Sequence, residues 1–186
     1  MKKGMIIVGD NFEETEALVT RNILIRAGMQ VKLASSTNNN VCLSSNNLKV
    51  ECDNLIQEIN TTDYDFVVIA GGAWISEQIK TPNSEQFTAI INLIKNFAEQ
   101  QKTIAAICAA PVFLAYAGLL DEAEFTCFPG FDKYMQGKYL NVPACAYKNI
   151  VTGHSSGYSH EFALLLLETL YNLKERQKVE KALGLI

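Results

Sequence analysis

Short apolar runs punctuate this chain and leave few folds open to it: M-I-I-V at 5–8, F-V-V-I-A at 66–70 and T-I-A-A-I at 103–107. A strand with one wet face alternates apolar and polar side chains, so runs this uniformly apolar read as strands covered on both faces. After the first run, residues 13–27 carry Ala17, Leu18, Ile23 and Leu24 at helical spacing and close at Gly28, a residue suited to the left-handed turn that ends a helix. Before the third, residues 84–101 form a longer amphipathic stretch whose face carries Phe87, Ile90, Ile91, Ile94 and Phe97. Strands alternating with helices in this way predict α/β architecture: a mostly parallel sheet with helices on both faces. Right-handed crossovers make a doubly wound, flavodoxin-like order the expected one.

The remaining segments fit that scheme. Residues 30–34 read as a second strand, and the Asn- and Ser-rich tract 35–47 as a surface loop or a short hairpin arm. A helix is expected over 111–117, strand-like pieces around 125–128 and 149–152, and a final helix over 159–175. The uncharged stretch 103–120 is long enough to raise the question of a membrane span, but Pro111 and Gly118 interrupt it, and a buried strand followed by a packed helix explains it better. We expect one domain over residues 1–186.

Composition narrows the function. The chain has 186 residues, 48% of them hydrophobic, which is enough for one full core. Net charge is -4 and the 16 Lys and Arg are scattered, so the basic stripe of a nucleic-acid binder is missing. Five cysteines, Cys42, Cys52, Cys108, Cys127 and Cys145, form no C-x-x-C pair. With only His154 and His160 beside them, no zinc-ligand spacing arises, and we expect neither metal nor cofactor. An odd number of cysteines in a well-cored chain reads as reduced, and the apolar run before Gly9 is short for a signal peptide. The expected location is cytoplasmic, with no nucleic-acid or membrane partner.

In a doubly wound sheet ligands bind beyond the carboxyl ends of the strands, and three features fall there: residues 10–16, Gly71-Gly72 and Cys108. The segment T-I-A-A-I-C-A-A-P at 103–111 ends a strand at Cys108 and starts a helix at Pro111, an arrangement that can hold a thiol at a helix N-terminus and lower its pKa. A small buried hydrophobe is the ordinary alternative for Cys108. Glu13 and Glu14 suit the start of a helix by charge alone. Glu16, further along, can point inward towards Cys108, where burial would raise its pKa and let it shuttle protons. Gly71 and Gly72 would let backbone N–H groups approach a reacting centre, or serve only as a tight turn. Trp74 and Ile75 would form an apolar wall beside the pair or pack against the following helix.

Four motifs in order, N-F-E-E-T-E at 11–16, V-V-I-A-G-G at 67–72, A-A-I-C-A-A-P at 105–111 and G-Y-S-H-E-F-A-L at 157–164, resemble the ThiJ/PfpI family of the class I glutamine amidotransferase-like superfamily, nearly end to end. The match is closest to its glyoxalase- and deglycase-like branch. The resemblance implies a flavodoxin-like homodimer with the nucleophile and oxidation sensor at Cys108, its carboxylic partner at Glu16, and backbone donors at Gly72 and Ala109. The implied substrates are small aldehydes such as methylglyoxal, or glycated side chains, turned over without glutathione or metal. The alternative it implies is an oxidative-stress sensor or redox-regulated chaperone working by oxidation of Cys108 to the sulfinate. The chain departs from the family at Phe128-Pro129, where many members carry His-Pro, so no Cys-His pair is expected there. Ala109 after the nucleophile, where the peptidase branch has His, weakens a protease reading. His154 follows a strand and is a possible auxiliary group or a hydrogen-bonded structural histidine.

Overall fold

The computed structural model describes residues 1–186. The first apolar run is strand β1 (Lys3–Val8), followed by helix α1 (Glu14–Arg26) and strand β2 (Gln30–Ser35). Gly28 takes a φ of 80°, and the Met29 N–H returns to the Leu24 carbonyl at 3.2 Å, so the helix stops where the sequence places its glycine. The polar tract is the hairpin arm: β3 (Val41–Leu43) pairs antiparallel with β4 (Lys49–Glu51), and the short β5 (Asn54–Leu55) then joins the edge of the main sheet beside β2.

Strand β6 (Phe66–Ile69) leads through the glycine pair into α2 (Ala73–Lys80), a helix the sequence reading did not anticipate, and then into α3 (Glu85–Glu99). The Ser84 hydroxyl caps α3 by accepting from the Phe87 N–H at 3.1 Å. The uncharged stretch divides into strand β7 (Thr103–Ile107) and helix α4 (Pro111–Tyr116), with Pro111 in the first turn; no helix is long and apolar enough to cross a membrane. Beyond it lie β8 (Glu124–Phe125), β9 (Lys138–Tyr139), β10 (Ala144–Tyr147) and β11 (Ile150–Gly153). The single final helix expected over 159–175 is two helices, α5 (Ser159–Leu170) and α6 (Leu173–Ala182). The break falls at Asn172, whose extended backbone leaves the helix and whose side chain accepts the Glu175 N–H at 3.1 Å to start the next one.

The seven-stranded sheet has the order β10-β11-β7-β6-β1-β2-β5, with every neighbour parallel except β10 against β11. This is the doubly wound, flavodoxin-like arrangement. Helices α1 and α5 pack together on one face, with α6 against α5, while α2, α3 and α4 cover the other. From β1 the chain winds outward through β2, then returns to β6 and winds the other way through β7 and β11. The carboxyl ends of β1 and β6 therefore diverge into a crevice, and the loops after β1, β6 and β7 meet at it.

Candidate active site

Glu16 enters the crevice from the first turns of α1. Glu14, two residues earlier, accepts a hydrogen bond from the Ser44 hydroxyl, and Glu13 one from the Thr15 hydroxyl at 3.2 Å, so both remain on the outer side of the turn. Glu16 is wholly buried. Its Oε2 accepts the Gly71 N–H at 2.7 Å, while Oε1 has no hydrogen-bond partner. Burial, with the Glu13 charge adding to it, pushes the carboxyl up to about 7; the Cys108 thiol and the Gly71 N–H pull in the opposite direction without cancelling it.

Cys108 follows β7 at a turn that few residues tolerate. Its φ is 65°, in the left-handed region, at a cost of about 1–3 kcal/mol that the surrounding bonds must offset. Those bonds are its N–H to the Gly153 carbonyl at 2.9 Å and the Phe128 N–H to its own carbonyl at 2.7 Å. The turn lifts the side chain off the end of the sheet and towards Glu16, as a nucleophile elbow does. Glycine is required beside it: a Cβ on Gly71 would come within 2.5 Å of Glu16 Oε2 and 2.8 Å of Cys108 Cβ. Gly72, at a φ of 117°, passes so close to the Asn11 carbonyl that a side chain there would overlap it. The N–H groups of Gly72 and Ala109 face the sulfur and favour its thiolate. They do not prevail. Burial, and then the Glu16 charge, push the Cys108 thiol well above its ordinary range, so the lowered thiol pKa expected from a helix N-terminus is corrected. The physical reason is that α4 is one short helix end, whereas the sulfur shares a desolvated pocket with a carboxyl group.

The structure thus brings Cys108, Glu16, Gly71, Gly72 and Ala109 together, and no hydrogen bond joins the His154 ring to them. The His154 ring engages the Ser155 hydroxyl at 3.2 Å and packs edge-on against Tyr158. Trp74 lies buried under the glycine pair, its indole N–H donating to the carbonyls of Ala70 and Gly71. Phe128, nearly half exposed, contributes a backbone bond to the elbow and stacks edge-on with Phe131. Two positions went unread in the sequence. Gly153 supplies the carbonyl that holds the elbow and has no room for a Cβ between Ile107 and Phe162; a glycine ending the run at 149–152 was its only signal. Asn11, with a φ of 69°, turns the loop after β1 so that its carbonyl receives the Ala73 N–H at 3.0 Å, which locks the start of α2 to the Glu16 loop.

A parallel doubly wound sheet with a strained cysteine elbow and a buried carboxyl partner defines the class. The chain belongs to the DJ-1/PfpI family, whose sequence model matches residues 2–169. Among its relatives, the glutathione-independent glyoxalase DJR-1.2 of Caenorhabditis elegans is 27% identical over 97% of this chain and 95% of its own. Protein DJ-1 homolog B of Arabidopsis thaliana is 29% identical over 96% of this chain, which spans only 40% of that longer protein. The solved structure of oxidised Toxoplasma gondii DJ-1 superimposes with a TM-score of 0.84 at 30% identity, covering 98% of both chains.

Proposed function

We propose that this protein is a cysteine-dependent, glutathione-independent glyoxalase or deglycase, acting on 2-oxoaldehydes such as methylglyoxal or on their side-chain adducts. The observation that carries this reading is the Glu16 carboxyl, buried beside the Cys108 sulfur with one oxygen fixed on Gly71 and the other free, and titrating at about 7. A group poised near neutrality serves as base and acid in turn. Ionised Glu16 takes the thiol proton as Sγ adds to the aldehyde carbon, then returns it to the new oxyanion to give a hemithioacetal. The regenerated carboxylate removes the proton from that carbon and delivers it to the neighbouring keto carbon, while the hydroxyl proton of the hemithioacetal passes to the keto oxygen. The first carbon is thereby oxidised to a thioester and the second reduced to an alcohol, with no outside electron carrier. Water cleaves the thioester, releasing the 2-hydroxy acid and the thiol. The N–H groups of Gly72 and Ala109 supply donors for negative charge at the reacting centre. The relative named as a glutathione-independent glyoxalase supports the same chemistry.

The test is lactate formed from methylglyoxal without glutathione, in the wild type and in Cys108→Ser and Glu16→Gln. Turnover in the wild type that is lost in both variants and rises with pH through about 7 is the expected result. A wild type that makes no lactate at high protein concentration overturns the reading. In that event a second reading takes its place, an oxidation sensor: below its titration point Glu16 carries an O–H, on an oxygen without another partner, that would hold a Cys108 sulfinate.

A further inference from the structure

Three aromatic rings stand in a row that begins at the cysteine elbow, and the proposed reaction leaves them unused. Phe128 donates its N–H to the Cys108 carbonyl at 2.7 Å. Its ring lies 6.4 Å from that of Phe131, centroid to centroid, and Phe131 lies 5.9 Å from Tyr134, so a spacing of three residues extends the row from the elbow. Phe128 and Tyr134 are each 43% exposed, a large apolar area to leave in water. Opposite the row runs α2, which starts directly after Gly72, whose N–H faces the Cys108 sulfur. Ser76, Ile79 and Lys80, three and four residues apart, share one face of that helix. Between this face and Phe131, Lys133 and Tyr134 lies a cavity of about 260 Å³. Both walls start at the reacting groups, one at Gly72 and the other at Phe128, so the cavity continues the crevice. Its character is apolar. Lys80 is paired with Glu77 at 2.7 Å, and the Lys133 ammonium lies 5.1 Å from the centre of the Tyr134 ring, so both charges have partners within the chain. What the groove offers an occupant is the Ile79 side chain and two aromatic rings.

We propose that this groove receives the substituent on the keto carbon of the substrate, and that it selects aryl 2-oxoaldehydes, of which phenylglyoxal is the simplest, over methylglyoxal. The inference rests on the glyoxalase reading above and specifies its substrate. Once the aldehyde carbon is bonded to Cys108 Sγ, the keto carbon is its neighbour, and the substituent on that carbon has the ring row on one side and α2 on the other. A methyl group fills little of a cavity this size. A phenyl ring packs offset or edge-on against Phe131 and Tyr134, each such pair being worth roughly two- to tenfold in binding. The chemistry is unchanged by the larger substituent. Phenylglyoxal and one water become mandelic acid, the aldehyde carbon being oxidised to the carboxyl group and the keto carbon reduced to the alcohol.

The experiment measures initial rates of lactate formation from methylglyoxal and of mandelate formation from phenylglyoxal, without glutathione, with Cys108→Ser as the blank for uncatalysed conversion. The wild type is compared with Phe131→Ala, Tyr134→Ala and Phe131→Leu. The two aldehydes differ in intrinsic reactivity, but equally for every variant, so the quantity read is kcat/KM for phenylglyoxal divided by kcat/KM for methylglyoxal. The ratio should fall about tenfold in Phe131→Ala and less in Tyr134→Ala, through a higher KM for phenylglyoxal. It should recover in large part in Phe131→Leu, which restores apolar volume to the groove. Damage to the fold alone lowers both rates together and leaves the ratio where it was. A ratio that stays the same across the folded variants while both acids form overturns the groove as a substrate site and leaves the glyoxalase reading standing. A wild type that forms neither acid overturns that reading, and this inference with it.

Discussion

A buried carboxyl held near pH 7 is a load on the fold as well as a tool. Glu16 binds its proton more tightly in the native protein than in the unfolded chain, its titration moving from an ordinary 4.5 up to about 7. The stability this contributes is fully present below about pH 4.5 and is lost as pH rises through 7, a change of about 3 kcal/mol for a single group. Glu16→Gln keeps an acceptor for the Gly71 N–H but cannot ionise. The difference in unfolding free energy between the variant and the wild type should therefore move by about 3 kcal/mol in the variant's favour between pH 4.5 and pH 8, read from urea melts at both. A pH-independent difference would mean that Glu16 titrates normally. The neighbouring glycine makes a second residue-level prediction. Gly71→Ala drives a methyl group into Glu16 Oε2 and Cys108 Cβ, so it should destabilise the protein by about 1–3 kcal/mol, and Cys108 alkylation by iodoacetamide should change rate even where the protein remains folded.

At the scale of elements, what was legible in the sequence depended on whether the chain decides a feature locally. Uniform apolar runs and 3.6-residue periodicity are local, and β1, β6, β7, α1 and α3 lie within a residue or two of where they were expected. Helix α2 was missed because its eight residues directly follow the glycine pair, and its start is set by the Asn11 carbonyl from a distant loop. The break between α5 and α6 was missed because Asn172 reads as one polar residue in a long helical stretch; only its extended backbone turns it into a cap. The same logic governs the site. Glu16, Cys108 and the glycine pair were legible by type and place, whereas the direction of the Cys108 shift was not, since it depends on how deeply two groups are buried together. Removing the cap tests the break. Asn172→Ala should cost about 1 kcal/mol and fray α6, where Arg176 bridges Glu168 and Glu180, and this is measurable as a lower melting temperature with a small loss of helical circular dichroism. An unchanged melt would mean that packing of α5 alone fixes the turn.

For the molecule as a whole, the site exists only where separate windings of the chain meet. Glu16 comes from the segment after β1, Gly71 and Gly72 from that after β6, Cys108 from that after β7, and the carbonyl that steadies Cys108 from the end of β11. The strands that deliver them run through one continuous core of 51 buried residues, so no subset of the sheet can retain the site while the remainder opens. The chain carries its own reporter of this dependence. Trp74 is the only tryptophan, buried at the crevice, with its indole N–H tied to the carbonyls of Ala70 and Gly71 directly behind the reacting groups. Its fluorescence reports the site, while far-ultraviolet circular dichroism reports the helices on both faces. In urea the two should trace one transition with the same midpoint and the same slope. A tryptophan transition that precedes the loss of helix would show that the crevice opens as a unit of its own, and the strain at Cys108 would then be held by local bonds rather than by the sheet.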